Sequence, residues 1–152
     1  MAEPDSKMIR AAIPADTMAI QALLGAAGLP FDDIDPVWTD FFVMPSGVSI
    51  IGCVGLEIHG ASALLRSLAV SPASRLHGAG RQLVEHVIRH AGMRGVADIY
   101  LLTTDAAGYF GRFGFVKIAR SHAPEAMKGT SQFKSQTCSS AAVMHRRVTT
   151  NA

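Results

Sequence analysis

Apolar residues recur along the chain in two rhythms, and each change of rhythm marks an element. Met8–Ile13 reads as a short opening strand. Asp16 stands where a helix cap belongs, ahead of Ile20, Leu23, Leu24 and Ala27 at helical spacing. Gly28, Pro30 and the acidic stretch from Asp32 to Pro36 break that helix. Phe41–Met44 predicts a strand, Pro45-Ser46-Gly47 a turn, and Val48–Ile58 a second strand rich in β-formers. A turn at Gly60-Ala61 leads into Ala63–Val70, another apolar strand.

The rhythm then shifts. Ser71-Pro72 ends the strand, and Arg75-Leu76-His77-Gly78-Ala79-Gly80 opens a helix that places Leu83, Val84, Val87, Ile88 and Ala91 on one face. Gly92 and Gly95 end it. Ile99–Leu102 has the composition of a buried strand, Ala106–Arg112 of a short helix ending at Phe113-Gly114-Phe115, and Ala141–Arg147 of a last strand. The predicted fold class is α+β, with a central strand–helix–strand step from Leu64 to Leu102, and residues 1–152 are expected to form a single domain.

Composition narrows the function. The chain has 152 residues, 49% hydrophobic and 17% charged, which is the balance of a folded globular protein rather than a disordered one. A net charge of +2 without a run of Lys or Arg is too weak a signal to argue for a nucleic-acid surface. Cys53 and Cys138 form no CxxC pair, so neither a disulfide framework nor a metal site is expected. Met1–Arg10 carries Glu3, Asp5, Lys7 and Arg10 and no signal-peptide core, and no apolar stretch is long enough to span a membrane. The expectation is a soluble cytoplasmic protein with neither a membrane nor a nucleic acid as partner.

One loop carries chemistry. Arg75–Gly80 lies between a strand and a helix, where unpaired N–H groups and the helix dipole favour a phosphate. Gly78 and Gly80 allow close approach of the backbone, and Arg75 and Arg81 add charge. A P-loop string is absent, and Gly78-Ala79-Gly80-Arg81-Gln82-Leu83 ends in Leu where a dinucleotide fingerprint needs a small residue. On its own the loop reads equally as a glycine-rich turn.

With its surroundings it reads differently. Leu68-Ala69-Val70 before the loop, Arg75, Gly78 and Gly80 matching Q/R-x-x-G-x-G/A, and Tyr109-Phe110-Gly111-Arg112-Phe113-Gly114-Phe115 further on resemble the GNAT superfamily of N-acetyltransferases. The resemblance covers nearly the whole chain. It implies a GNAT-type mixed sheet, splayed in a V and flanked by helices, that holds acetyl-CoA as cosubstrate and needs no metal. It places Leu68, Ala69 and Val70 along the pantetheine. It places the backbone of Leu76, His77, Gly78, Ala79, Gly80 and Arg81, with Arg75, around the pyrophosphate, and Thr103, Phe110 and Arg112 toward the thiol end. A homodimer is the family's habit.

The reaction then sets demands. An amine of pKa near 9–10 is about 1% or less unprotonated at pH 7, a handicap of roughly 3–4 kcal/mol unless a base or desolvation helps. The oxyanion needs a donor, for which the N–H of Val70 is placed. Many members of the superfamily protonate the leaving thiolate with a Tyr, where this chain has Phe110; Tyr109 is one position off. The Asn frequently found seven residues earlier is Thr103 here. Where some members carry a Glu base on the fourth strand, this chain has Leu64. A hairpin turning at Gly60-Ala61 sets Glu57 opposite Leu64, and Arg66 shares their face by alternation. Two readings follow: Glu57 accepts the amine proton or orders a water while Arg66 grips an anionic group of the substrate, or the two form a structural ion pair.

The remaining features are bland. His86 and His90 are four apart on a helix with no third ligand in view, and Cys53 reads as core. Ala63–Val70, Leu101-Leu102-Thr103-Thr104 and Thr130–Ser135, with Cys138 and Met144, resemble the small acetyltransferases of bacterial arsenic-resistance operons and the acetyltransferase domain of short N-acetylglutamate synthases. Ser139 departs from that pattern, in which a Pro follows the Cys. Both groups imply a small anionic acceptor, to which Lys134 and Arg120 add charge. A protein or peptide acetyltransferase and a non-catalytic acyl-CoA sensor are the alternatives to a small-molecule enzyme.

Overall fold

Two glycine-led turns fold the middle of the chain into a meander. The computed structural model describes residues 8–29, 39–73, 78–134 and 140–148. Strand β2 (Thr39–Ser46) turns at Gly47-Val48 into β3 (Ser49–His59), which turns at Gly60-Ala61 into β4 (Ser62–Val70). Gly47 and Gly60 have φ of 62° and 66°. A positive φ at the first of two turn residues is what a type II′ hairpin requires, and glycine supplies it without strain. The first turn falls one residue later than the sequence pattern suggests, because Pro45 and Ser46 still belong to the strand.

The hydrogen-bonded strand order is β1-β2-β3-β4-β5-β7-β6, with β1 at Arg10–Ala11, β5 at Asp98–Thr103, β6 at Val116–Ile118 and β7 at Ala142–Arg147. By its internal contacts the chain divides into two compact units. The first is Met1–Leu56 with Ser67–Val87, and the second is Glu57–Arg66 with Ile88–Ala152.

In the first unit, α1 (Thr17–Ala26) buries Ile20 and Leu24 against Phe41, Val43, Cys53 and Ala69. The alternate residue Phe42 meets the other face, where its ring lies 4.7 Å from that of His86 on α2 (Ala79–Met93). A sheet covered on both sides explains why Phe41–Met44 is apolar throughout rather than alternating. Asp16 precedes α1 as expected, but its carboxylate accepts from the N–H of Ile13 at 2.9 Å and from Arg10, so it secures the turn before the helix and does not cap it. Ala27 lies exposed at the helix end. There Gly28 at φ 72° lets Leu29 N–H reach Leu24 O at 2.9 Å, a Schellman stop.

In the second unit, β5 is central. It runs parallel to β4 (Leu64 beside Tyr100) and antiparallel to β7 (Tyr100 beside His145). Leu64, Tyr100 and Val143 pack under Ala123, Met127 and Phe133. The last two come from α4 (Glu125–Lys128) and α5 (Ser131–Lys134), helices too short for their periodicity to show in sequence. The parallel step from β4 through α2 to β5 is the one the sequence predicts. Helix α2 runs through Gly92 and stops only where Gly95, at φ 80°, allows Val96 N–H to bond Ala91 O at 2.9 Å. Among the described residues no helix is long and apolar enough to cross a membrane, and no cluster of His, Cys, Asp and Glu is suited to a metal.

Candidate active site

The first unit carries a helix start of the kind that receives phosphate. Gly78 has φ 76° with no atom within 4 Å of where a side chain would begin. The bond from Gln82 N–H to Gly78 O at 3.0 Å opens α2 and leaves the amides of Ala79, Gly80 and Arg81 without intrahelical partners. Fifteen residues of aligned peptide dipoles stand behind them. Arg81 is exposed, its Nε only 3.4 Å from Glu85, a loose pair that leaves the guanidinium able to meet an anion. The first three residues of the predicted loop, Arg75, Leu76 and His77, lie outside the described residues.

Just ahead, β4 departs from regular geometry. Ser67 is buried with φ 61°, the one positive φ on a non-glycine residue among those described. Such a conformation is unfavourable for a side-chain-bearing residue and re-aims the strand that follows, here Leu68, Ala69 and Val70. The Ser67 carbonyl accepts from the Cys53 thiol at 3.4 Å. Burial pushes that thiol up to about 12, against the opposing effect of the Ala69 N–H, so Cys53 is a core residue and no nucleophile. Leu68 and Val70 at that strand end are half-buried.

The second unit gathers the charged candidates. Glu57 and Arg66 face one another, with Arg66 Nη1 3.2 Å from Glu57 Oε1 and the two side chains only 3% and 1% exposed respectively. The two-residue turn at Gly60-Ala61 explains the meeting, since it sets Glu57 opposite Leu64 and Arg66 on the adjacent diagonal. The other oxygen, Glu57 Oε2, is 2.7 Å from His59 Nε2. His59 is the last residue of β3, and its side chain is 36% exposed. A cation, a carboxylate and an imidazole thus form one connected group running from the sheet interior to its surface.

The other predicted residues also lie in this unit. Thr103 ends β5 and accepts from Ala106 N–H at 2.9 Å, fixing the entry to α3 (Ala107–Gly111). Phe110 is buried and packs edge-on to Phe115. Tyr109 is half-buried with its ring 5.3 Å from those of both Phe110 and Phe113, and Arg112 is exposed. Arg120 lies over the Phe133 ring and donates to Ala141 O at 3.1 Å, which commits it to the fold, while Lys134 is exposed.

The sequence profile of the acetyltransferase (GNAT) domain matches residues 38–117, more than half of the chain. The chain belongs to the GNAT acetyltransferase family. An uncharacterised N-acetyltransferase of Chlorobaculum tepidum is 34% identical over 87 residues, 57% of this chain and 56% of that protein. The chain therefore spans little more than half of this relative. Among solved structures, N-acetylglutamate synthase from Neisseria gonorrhoeae, complexed with coenzyme A and N-acetyl-glutamate, has a TM-score of 0.82 at 23% identity. That likeness covers 97% of this chain and 36% of the synthase. A Mycobacterium tuberculosis protein in complex with CoA has a TM-score of 0.76 at 21% identity, covering 93% of this chain and 99% of that one.

For this GNAT chain, sequence reasoning does not single out Ser67 or His59. Nothing in a serine signals a left-handed conformation. His59 is findable, because it stands two residues from Glu57 on a strand and must share its face.

Proposed function

We propose that this chain moves an acetyl group from acetyl-CoA to the amine of a small amino-acid-like molecule carrying an anionic group, with residues 1–152 working as one acetyltransferase domain. Acetyl-CoA supplies the acyl group as an activated thioester. The helix start at Gly78–Arg81 and the strand end at Leu68–Val70 are the chain's own means of holding it.

The observation that carries the acceptor class is the buried group of Arg66, Glu57 and His59. It holds one fixed positive charge, one carboxylate and one ring able to take a proton. Once a proton arrives the group is net positive, which favours an acceptor whose carboxylate or similar anion lies nearby. A buried cation in a sheet is costly to keep unless it has work or a well-made partner, and here the carboxylate partner is shared with a ring that reaches the surface. The fold neighbour complexed with N-acetyl-glutamate supports an acidic amino acid as the first acceptor to try, and arsenic- or phosphorus-containing analogues of glutamate as the next.

The test is release of free thiol from acetyl-CoA across a panel of glutamate, aspartate, neutral amino acids, those analogues, polyamines and a lysine peptide, with a no-acceptor baseline. Turnover confined to acidic amino acids or their analogues is the expected result. Turnover of the peptide alone would make the protein a protein acetyltransferase. Binding of acetyl-CoA without turnover of any amine would make it a sensor.

A further inference from the structure

We propose that His59 takes the proton from the bound acceptor's ammonium group, with Glu57 and Arg66 as the positioning pair behind it. The proposal rests on the acetyltransferase reading and names a residue that reading lacks.

Glu57 is poorly placed to do this itself. Its side chain is 3% exposed, and both oxygens are engaged, Oε1 with Arg66 at 3.2 Å and Oε2 with His59 at 2.7 Å. His59 has the access that Glu57 lacks, with 36% of its side chain open. His59 closes β3 immediately before the Gly60-Ala61 turn, so its backbone is fixed by a two-residue hairpin and its ring by the carboxylate.

The pairing also settles which nitrogen can accept. An ionised carboxylate has only lone pairs to offer, so the ring nitrogen facing Glu57 Oε2 must carry the hydrogen. That nitrogen is Nε2. In the neutral ring the lone pair is then on Nδ1. The step balances simply. One N–H bond of the acceptor's ammonium breaks, its electron pair stays on the nitrogen as the nucleophilic lone pair, and the proton goes to Nδ1. The resulting imidazolium faces Glu57, which stabilises its charge, and the ring, whose side chain is 36% exposed, returns the proton to water. Arg66 donates to Glu57 Oε1 at 3.2 Å and so aims the carboxylate, the same logic by which a buried carboxylate orients a catalytic histidine.

A second histidine–carboxylate pair in the same unit supplies the control. His145 Nε2 lies 2.8 Å from Asp98 Oδ1, but its ring is stacked 4.8 Å from that of Tyr100, and its carboxylate is 27% exposed, with no buried cation bonded to it among the described residues. It fastens β7 to β5.

The experiment uses the full chain and the best acceptor from the thiol-release panel. Wild type, His59→Ala and His145→Asn are compared for kcat, for KM and for acetyl-CoA affinity by calorimetry. In parallel, imidazole ¹⁵N shifts of the wild type read the tautomer without any turnover. The expected result is a fall in kcat of about 10²–10⁴-fold for His59→Ala with acetyl-CoA affinity retained. Free imidazole partly restores that loss, His145→Asn stays near wild type, and an Nε2–H tautomer is found at His59. A His59→Ala variant that binds acetyl-CoA and turns over within about threefold of wild type overturns the proposal, as does an Nδ1–H tautomer. A wild type inactive on every amine overturns the acetyltransferase reading instead, a separate outcome.

Discussion

Two histidine–carboxylate pairs sit in the same unit of the molecule and differ in what stands behind the carboxylate. His59–Glu57 and His145–Asp98 have nearly the same separation, 2.7 and 2.8 Å. Asp98 remains 27% exposed, so water shares in solvating it. Glu57 is 3% exposed and depends on Arg66, itself 1% exposed, for its remaining solvation. The Asp98 pair is an ordinary cross-strand tie. At Glu57, two buried charges are inseparable, and a surface histidine hangs from one of them. Nearly identical contact distances therefore conceal different energetics, because burial sets how much a lost partner matters.

The comparison breaks most visibly in stability. Arg66→Ala leaves a buried carboxylate without its cation and should lower unfolding free energy by about 3–5 kcal/mol. His145→Asn, which leaves Asp98 in contact with water, should lower it by about 1 kcal/mol. Urea midpoints of the two variants against wild type check this. The next effect is on activity. Glu57→Gln should reduce kcat by about 10²-fold or more, and Asp98→Asn should leave it near wild type, both read by thiol release.

A third pair, in the other unit, sharpens the contrast by pH. Arg10 grips Asp16 at 2.8 and 3.1 Å, and its side chain is 40% exposed. The Arg10 guanidinium, with a smaller contribution from the Ile13 N–H, holds the Asp16 carboxyl below the usual aspartate value against the opposing effect of burial. A lowered folded value contributes stability above the ordinary aspartate pKa of about 3.9 and loses it as pH falls through the lowered value. The stability gap between wild type and Asp16→Asn should therefore hold at neutral pH and close below about pH 4, as thermal melts across pH will show. The smallest effect is expected at Tyr109, whose ring packs between Phe110 and Phe113. Tyr109→Phe should change kcat by less than about tenfold.

Much of this is legible in the sequence. The meander and the β4–α2–β5 step follow from period-two and helical runs bounded by glycines, and the Glu57–Arg66 meeting follows from counting back from one two-residue turn. What escapes has physical reasons. Strand β6 is three residues long, and α4 and α5 four each, too short for a period to register. The left-handed Ser67 leaves no trace in composition, because the constraint that holds it is tertiary. Asp16 looks like a helix cap because Asp is common there, but an arginine six residues earlier reaches its carboxylate. His59 gains meaning only once Glu57 is seen to be buried, with one carboxylate oxygen left over after Arg66 has taken the other.

The central claim is that the buried group serves the reaction and is more than an internal ion pair. The double variant Glu57→Met, Arg66→Met tests it, since replacing both charges with apolar side chains of similar length removes the chemistry while sparing the core an unpaired charge. The measurement is kcat on the best acidic acceptor in a variant shown by urea unfolding to keep near-wild-type stability. The account predicts a folded protein that still binds acetyl-CoA and has lost about 10²-fold or more in kcat. A folded double variant that turns over within about threefold of wild type would contradict it, and Glu57 and Arg66 would then be structural.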